Sequence, residues 1–568
     1  MKLNFFWNEW DKPHRFIYLL LLSLLALAMA AYGVAYFLGS SLVIHWELEN
    51  IIKSVPTVWD SYRIGMYQFP ITVDNYLISQ NFTASGLQVN VWPAYVLLAW
   101  MAVFLSVILT VMPKLSRFWF VVSVVLFTLL LIGLKLEYLM LFNSYEKYGI
   151  AIGMALYYPL LYLFHFLRPN TSVLIRLASF LGATMVFGGI IYEFSHVPLP
   201  FLHMVNYGIY VPLILTILFC FMVGHEIVSG LLAVISGSGL SGEKGGLYHF
   251  LIISVVFLVN VAMVLFKNSR IFDWNLYLIG AFGLLSIATV IGIWGYRWRE
   301  NTYEGTYAFF PFGAFLYIGL AITAHITVAY FFITGNDPLV ECVEDTVVFS
   351  QLGFSAIFIV YFLANFFDMM RENADVAKVV FKPRRMPYFT ARFAALIVVL
   401  GIFLRLHMTP YNQAIAGFYA GIGDLYLKSK DVLAAREYYN LANNFSSTGH
   451  RGNYAMATLE HTDGNKAEEI RYLKKAVGKN PTPFAYALLA SRLSDDRKYF
   501  EAMFTLKDGL VEFPEEGRLL NNLGLLYTEL AQTDSAFRSF DLAMKSQKPG
   551  GGWRQCLCIV ATTRSGSA

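Results

Sequence analysis

Charge is what this chain has least of. Lys, Arg, Asp and Glu make up 14% of its 568 residues, while 57% are hydrophobic and 17% aromatic. A soluble globular chain carries about 25% charge, so that class is excluded. Cysteine is scarce too. The four present (Cys220, Cys342, Cys556, Cys558) form neither a disulfide framework nor the spaced pairs of a zinc site. No Gly-x-x-x-x-Gly-Lys phosphate loop occurs, and the Gly-rich stretch from Ser236 to Gly246 is a short connector between apolar runs. No basic tract suits a nucleic acid. These absences predict no metal, no cofactor and no nucleic-acid partner.

What the chain has instead is long apolar runs. The first is too long for a cleavable signal peptide and lacks a small-residue cleavage site, so it reads as a lasting anchor. Runs at 16–39, 91–113, 117–142, 148–167, 171–192, 208–235, 247–266, 274–296, 307–333, 346–367 and 387–405 each approach the length that crosses a bilayer. The pattern predicts an all-α polytopic bundle of about eleven helices over 16–405, behind a short polar N-terminus, 1–15. Lys and Arg set its orientation. Fifteen fall in one set of short segments, from Lys2 to Arg385, and only Lys53, Arg63, Lys147, Lys267 and Arg270 in the other. This bias predicts a cytoplasmic N-terminus in a bacterial inner membrane. A polar stretch at 40–90 then becomes the first and longest external loop. The last run is the shortest: Phe393 to Leu404, between Arg392 and Arg405, with Arg392 expected to snorkel to the headgroups.

Beyond residue 410 the pattern changes. Tyr419, Ile422, Gly423 and Tyr426 are followed by Ala435, Tyr439 and Ala442. Leu520, Leu523, Gly524 and Tyr527 are followed by Ala536, Phe540 and Ala543. Between them stand Ala490, Ala502, Gly509 and Pro514 at matching places. Ala442, Ala476, Gly509 and Ala543 are 34, 33 and 34 residues apart. The small residues let paired helices cross closely, and the large ones fill the space between pairs. This spacing resembles the tetratricopeptide repeat family. The resemblance implies an α-solenoid over 411–548 whose groove holds a protein partner, and eleven crossings from a cytoplasmic N-terminus would put it outside the cytoplasm. The tail at 549–568 is irregular, with Gly550, Gly551 and Gly552 and no visible capping helix.

Ionisable groups inside apolar runs are costly and mark candidate sites. His225 and Glu226 interrupt the sixth run, His249 opens the seventh, and His325 lies in the ninth. They offer either interhelical hydrogen bonds or an ion or proton path. His225 and Glu226 are adjacent and point about 100° apart on a helix, so they do not both face one ion.

The external loop carries His45, Glu47, Glu49, Asp60, Arg63 and Asp74 among aromatics. In layout the membrane half resembles the GT-C type, polyprenol-dependent glycosyltransferases. That resemblance implies Glu47 or Glu49 as catalytic base and Arg63 or Arg405 as partner of a lipid phosphate. His45-Trp46-Glu47-Leu48-Glu49 is only a loose stand-in for the paired acidic motif of that class. The sequence therefore predicts an integral membrane scaffold or assembly factor among membrane lipids. A glycosyltransferase, and then an ion or proton transporter, are the alternatives.

Overall fold

Uncharged runs of Leu, Val, Ile and Phe must be buried or face lipid, and here they form long helices. The computed structural model describes residues 5–237, 247–271, 275–300, 308–371 and 388–546. Contacts divide the chain into two units. One comprises Met1–Gly39 and Asn90–Ala435, the other Ser40–Val89 and Arg436–Ala568.

The first unit is helical. It contains α1 (Lys12–Leu38), α2 (Trp92–Val111), α3 (Arg117–Gly133), α4 (Tyr148–Tyr162), α5 (Val173–Phe194), α6 (Pro200–Tyr207), α7 (Tyr210–Val223) and α8 (Glu226–Gly237). It continues with α9 (Leu247–Asn268), α10 (Ala281–Trp298), α11 (Ala314–Ile333), α12 (Asp337–Arg371), α13 (Tyr388–Arg405) and α14 (Thr409–Lys428). Eight segments among the described residues are long and apolar enough to cross a membrane. This composition is that of a multi-pass membrane protein. The eleven crossings expected become eight, or nine if α13 and α14, bent by 71°, count as one. Helix α3 is too short. Helix α10 holds Ser286, Thr289, three glycines and Arg297 within its 18 residues, which lowers its hydropathy.

Close approach in this unit uses small residues. A Cβ on Gly319 would lie 2.5 Å from the Phe104 ring, so α2 and α11 cross at that glycine. The Trp100 Nε1 donates to Thr323 Oγ1 at 2.9 Å across the same contact. Helix α14 also belongs here. Its Gly417 leaves no room for a Cβ beside Leu339. Asn336 Nδ2 donates to the Gly417 carbonyl at 2.9 Å, and Gln413 to Glu341 at 2.9 Å. Residues 411–435, expected with the repeats, thus pack with the membrane helices, and Tyr419, Gly423 and Tyr426 lie in that unit.

The second unit joins two distant parts of the chain. The stretch expected as a loop of the membrane half is a long antiparallel hairpin, β1 (Trp46–Ile64) and β2 (Tyr67–Ala84). Its β-branched and aromatic residues favour strand, and Gly65, at φ +58°, closes a two-residue turn that needs a positive φ. The rest is an array of helix pairs. Helix α15 (Val432–Phe445) spans the division between units. Then come α16 (His450–Thr462) with α17 (Lys466–Ala476), α18 (Pro483–Asp495) with α19 (Tyr499–Glu512), and α20 (Gly517–Glu529) with α21 (Thr533–Lys545).

The 34-residue spacing corresponds to these pairs. Ala435, Tyr439, Ala502, Ala536, Phe540 and Ala543 are fully buried, and Ala442 and Ala490 nearly so. Gly524 is required: a Cβ there would lie 2.5 Å from the Phe540 ring. Tyr527 is half-buried, and Pro514 is exposed beyond the end of α19.

Candidate functional site

Two places gather polar groups against their surroundings. The first is in the hairpin unit. The outer edge of β2 leaves backbone N–H and C=O groups without a strand partner, and helix α20 supplies side chains in its place. The Phe82 N–H donates to Asn522 Oδ1 at 2.9 Å, and Asn522 Nδ2 returns a bond to the Phe82 carbonyl at 2.6 Å. Asn521 Nδ2 donates to the Gln80 carbonyl at 2.8 Å. Both asparagines are buried. A carboxamide both donates and accepts, so one Asn reads a residue's whole backbone edge without regard to its side chain.

Nearer the base of the hairpin, Tyr454 donates its hydroxyl to the Ser85 carbonyl at 2.7 Å. Burial pushes the Tyr454 hydroxyl pKa up, which keeps it a donor. The Trp46 ring lies 4.7 Å from Phe484, and the Arg518 guanidinium covers it at 4.9 Å. Farther out, Lys53 pairs with Glu529. Between the inner face of the hairpin and helices α18 and α20 lies a cavity of about 310 Å³. Its lining includes Glu49, Lys53, Asn81, Ser491 and Asp495. His450 lies buried beside Tyr454, with Nδ1 3.1 Å from the Ala476 carbonyl, and burial lowers its pKa to about 4.

The second place is inside the membrane unit. The apolar run at 208–235 breaks at Gly224-His225 into α7 and α8. The break leaves carbonyls without helical partners. Arg392 Nη2 donates to the Met222 carbonyl at 2.9 Å and lies 3.3 Å from His225 Nδ1, while Ser355 donates to the Gly224 carbonyl at 3.1 Å. Glu226 opens α8 and forms an ion pair with Arg299, which also reaches Ser229 Oγ at 3.4 Å. Glu226 and His225 are almost wholly buried. Gly295 makes this possible, since a Cβ there would collide with the Glu226 carboxylate. A separate apolar cavity of about 720 Å³, lined by Leu213, Ile217, Phe349, Leu400, Phe403 and Phe418, lies between α7, α12, α13 and α14.

The structure places the other predicted residues as follows. Glu47 and Glu49 stand exposed near the base of β1, and Glu49 borders the 310 Å³ cavity. Arg63 sits at the hairpin tip, fourteen residues along the same strand from Glu49, or about 45 Å at the usual rise. It is not brought to either carboxylate. Arg405 is exposed at the end of α13, in the other unit. The His249 side chain lies outside the described residues. His325 is buried with Nδ1 2.8 Å from the Ala321 carbonyl and its ring against Tyr32, an arrangement that packs helices. Arg392 turns into the bundle toward the helix break, where a snorkelling residue was expected. Among the described residues no three His, Cys, Asp or Glu side chains converge as a metal site would require.

Sequence reasoning missed Asn521, Asn522, Tyr454 and Arg299. The asparagine pair carried one usable signal: two adjacent carboxamides within a helix otherwise rich in leucine. Arg299 counts as a loop charge until its partner is visible. No protein-family model matches this chain, and no curated protein matches it.

Proposed function

We propose that this chain is an integral membrane scaffold that holds a protein partner on its hairpin and helix-pair unit. The observation that carries the reading is the seating of β2 on Asn521 and Asn522. A groove that grips extended backbone through carboxamides has the chemistry of peptide recognition, and here the chain's own hairpin occupies it. The repeat spacing supports a tetratricopeptide-type array, and the Lys and Arg bias supports a cytoplasmic N-terminus with the array on the periplasmic side of an inner membrane. Membrane lipids surround the first unit, and its 720 Å³ apolar cavity suits a hydrocarbon tail.

Two measurements test this. A single cysteine at Lys507, after removal of the native four, reacts with an impermeant thiol reagent in intact cells with a permeabilised outer membrane. Protection until lysis would reverse the orientation. Photo-crosslinking side chains at Lys507, Phe504 and Tyr67 capture polypeptide adducts in native membranes. Lipid adducts alone, at every position, would end the scaffold reading.

One observation favours a second reading, ion or proton translocation: a broken helix with Glu226 at the start of its second half. On that reading His225→Ala abolishes flux and leaves the crosslinks unchanged. The transferase reading needs a carboxylate and a guanidinium at one place, and Glu49 and Arg63 stand far apart on β1.

A further inference from the structure

We infer that the first unit holds one acyl chain of a bilayer phospholipid in the 720 Å³ cavity between α7 and α13. The inference rests on the membrane character of that unit, and it stands or falls apart from the scaffold reading. It names the lipid, the depth of its seat and the helices that the chain fills the space between.

The space arises where two apolar helices part. Helix α13 packs on α12 at Gly353, where a Cβ would lie 2.6 Å from the Val399 side chain. It reaches α7 through Arg392, whose guanidinium donates to the Phe221 and Met222 carbonyls. From there α13 runs to its bend of 71° into α14, and α14 packs back on Leu339 of α12 at Gly417. Leu396, Val399, Leu400 and Phe403 recur at helical spacing, so one stripe of α13 lines the cavity. Leu213, Ile214, Ile217 and Phe221 form the facing stripe on α7.

The wall decides the occupant. Protein interiors hold few voids larger than a water molecule, so a space of 720 Å³ is not a packing defect. Water does not suit it, because a buried water needs about two to four polar partners. Thr346 on the wall spends its hydroxyl on the Cys342 carbonyl at 2.7 Å. Apart from Cys342, the other polar side chains of the wall are Tyr210 and Tyr411. Among the described residues no charged side chain lines the cavity, so it takes a hydrocarbon chain and leaves the headgroup outside.

The mouth and the depth fit a chain that enters from the bilayer. Ile214 of α7 and Leu400 of α13 both line the cavity, yet they are 51% and 53% exposed. Exposed apolar side chains of membrane helices face lipid, so the gap between them opens sideways into hydrocarbon. From Ile209 to Phe221 the cavity follows α7 for twelve residues, about 18 Å at the helical rise. One leaflet of hydrocarbon is about 15 Å deep, half of about 30 Å. Phe221 is the middle residue of the apolar segment Tyr210–Leu232, which puts it near the bilayer centre. Tyr210 and Tyr411 stand at the opposite end, and tyrosines favour the headgroup level. The cavity thus runs from the headgroups to the midplane, the path of one acyl chain of a phospholipid whose headgroup stays in its own plane.

The test uses the full chain in nanodiscs of phosphatidylethanolamine and phosphatidylglycerol. A small fraction of the phosphatidylethanolamine carries a diazirine midway along one acyl chain. After irradiation, adducts on α7 from Leu213 to Phe221 and on α13 from Leu396 to Phe403 exceed, by roughly tenfold, those on Met185, Val186 and Val256, which are exposed on α5 and α9. Ala414→Trp places an indole in the cavity from α14, removes the excess and keeps the unfolding temperature. If that variant unfolds early, Ile217→Trp fills the same space from α7 and decides. Native mass spectrometry of the purified protein finds one phospholipid retained per chain, and the tryptophan variants lose it. Adducts no more frequent on α7 and α13 than on α5 and α9 mean ordinary bilayer contact and overturn the inference. So does a retained molecule of another class, such as an isoprenoid, or an excess that survives both tryptophans. Absence of adducts on every helix overturns the membrane placement with it. Polypeptide capture at Lys507 is read separately and decides the scaffold reading.

Discussion

Each unit contains backbone groups that have lost their usual partners, and the two units repair the loss differently. In the membrane unit the break at Gly224-His225 frees carbonyls, and an arginine, Arg392, satisfies them. In the hairpin unit the edge of β2 is satisfied by neutral carboxamides. A part-buried guanidinium supplies strong donors but brings a charge that must be balanced, and a second arginine nearby is balanced by Glu226. A carboxamide brings no charge and satisfies a donor and an acceptor together. The first repair is costly to disturb. The second is local, and the strand can leave without stranding a charge.

The largest effect expected from this contrast is at Glu226. Glu226→Gln leaves Arg299 buried without its anion and lowers stability by about 3–5 kcal/mol. Thermal unfolding of the detergent-solubilised protein reports it. Glu226→Leu with Arg299→Leu recovers most of the loss, because the pair's desolvation cost goes with it. If Glu226→Gln is harmless, the membrane repair is no more rigid than the other, and the contrast fails.

In the hairpin unit, acid acts through His450. His450 is neutral when folded, with its pKa lowered to about 4 by burial, against about 6.5 unfolded. Below pH 6.5 the unfolded chain binds the extra proton, so stability falls as pH falls toward 4, by about 3 kcal/mol in all. Hydrogen exchange in α16 and α18 accelerates across that window, and His450→Gln flattens the response. An unchanged pH profile in the variant would show that another group controls it.

The asparagines come next. Asn522→Ala strands both polar groups of Phe82 and costs about 1–3 kcal/mol. Asn521→Ala costs less, because Asn521 makes one bond to the strand where Asn522 makes two. The effect is local: exchange at Phe82 and Gln80 rises while the membrane helices keep their unfolding temperature. A drop in both units would mean that the two repairs are one cooperative structure.

Much of this was legible in the sequence, and what was not has physical reasons. Hydropathy marks the long helices because each carries its signal within one segment. The helix pairs were legible because small residues recur 33 or 34 places apart, Ala502 with Ala536 and Gly509 with Ala543 among them, and those positions are buried. The hairpin was not. Both its faces mix apolar and polar residues, so no clean alternation appears, and the side chain that holds Phe82 stands 440 residues away. Nor did the sequence show that α14 joins the membrane helices, since Gly417 serves a contact with Leu339 that lies outside the repeat pattern. The break at Gly224-His225 was not legible: polar groups there read as lying inside one continuous helix over 208–235, and the partners Arg299 and Arg392 read as charges at the ends of spans.

The smallest effect sharpens the contrast most finely. Lys53 and Glu529 are both partly exposed, and such a pair contributes about 0–1 kcal/mol. Lys53→Ala therefore leaves the unfolding of either unit within error. Its value lies in where it stands, farther out along the hairpin than the asparagine contacts to Phe82 and Gln80. With no charge buried there, loss of the pair raises exchange only outward of Leu77 and leaves Phe82 and Gln80 protected by their asparagines. If protection at Phe82 falls with it, the rim and the carboxamides hold the strand together, and the clamp on β2 extends along the whole covered face.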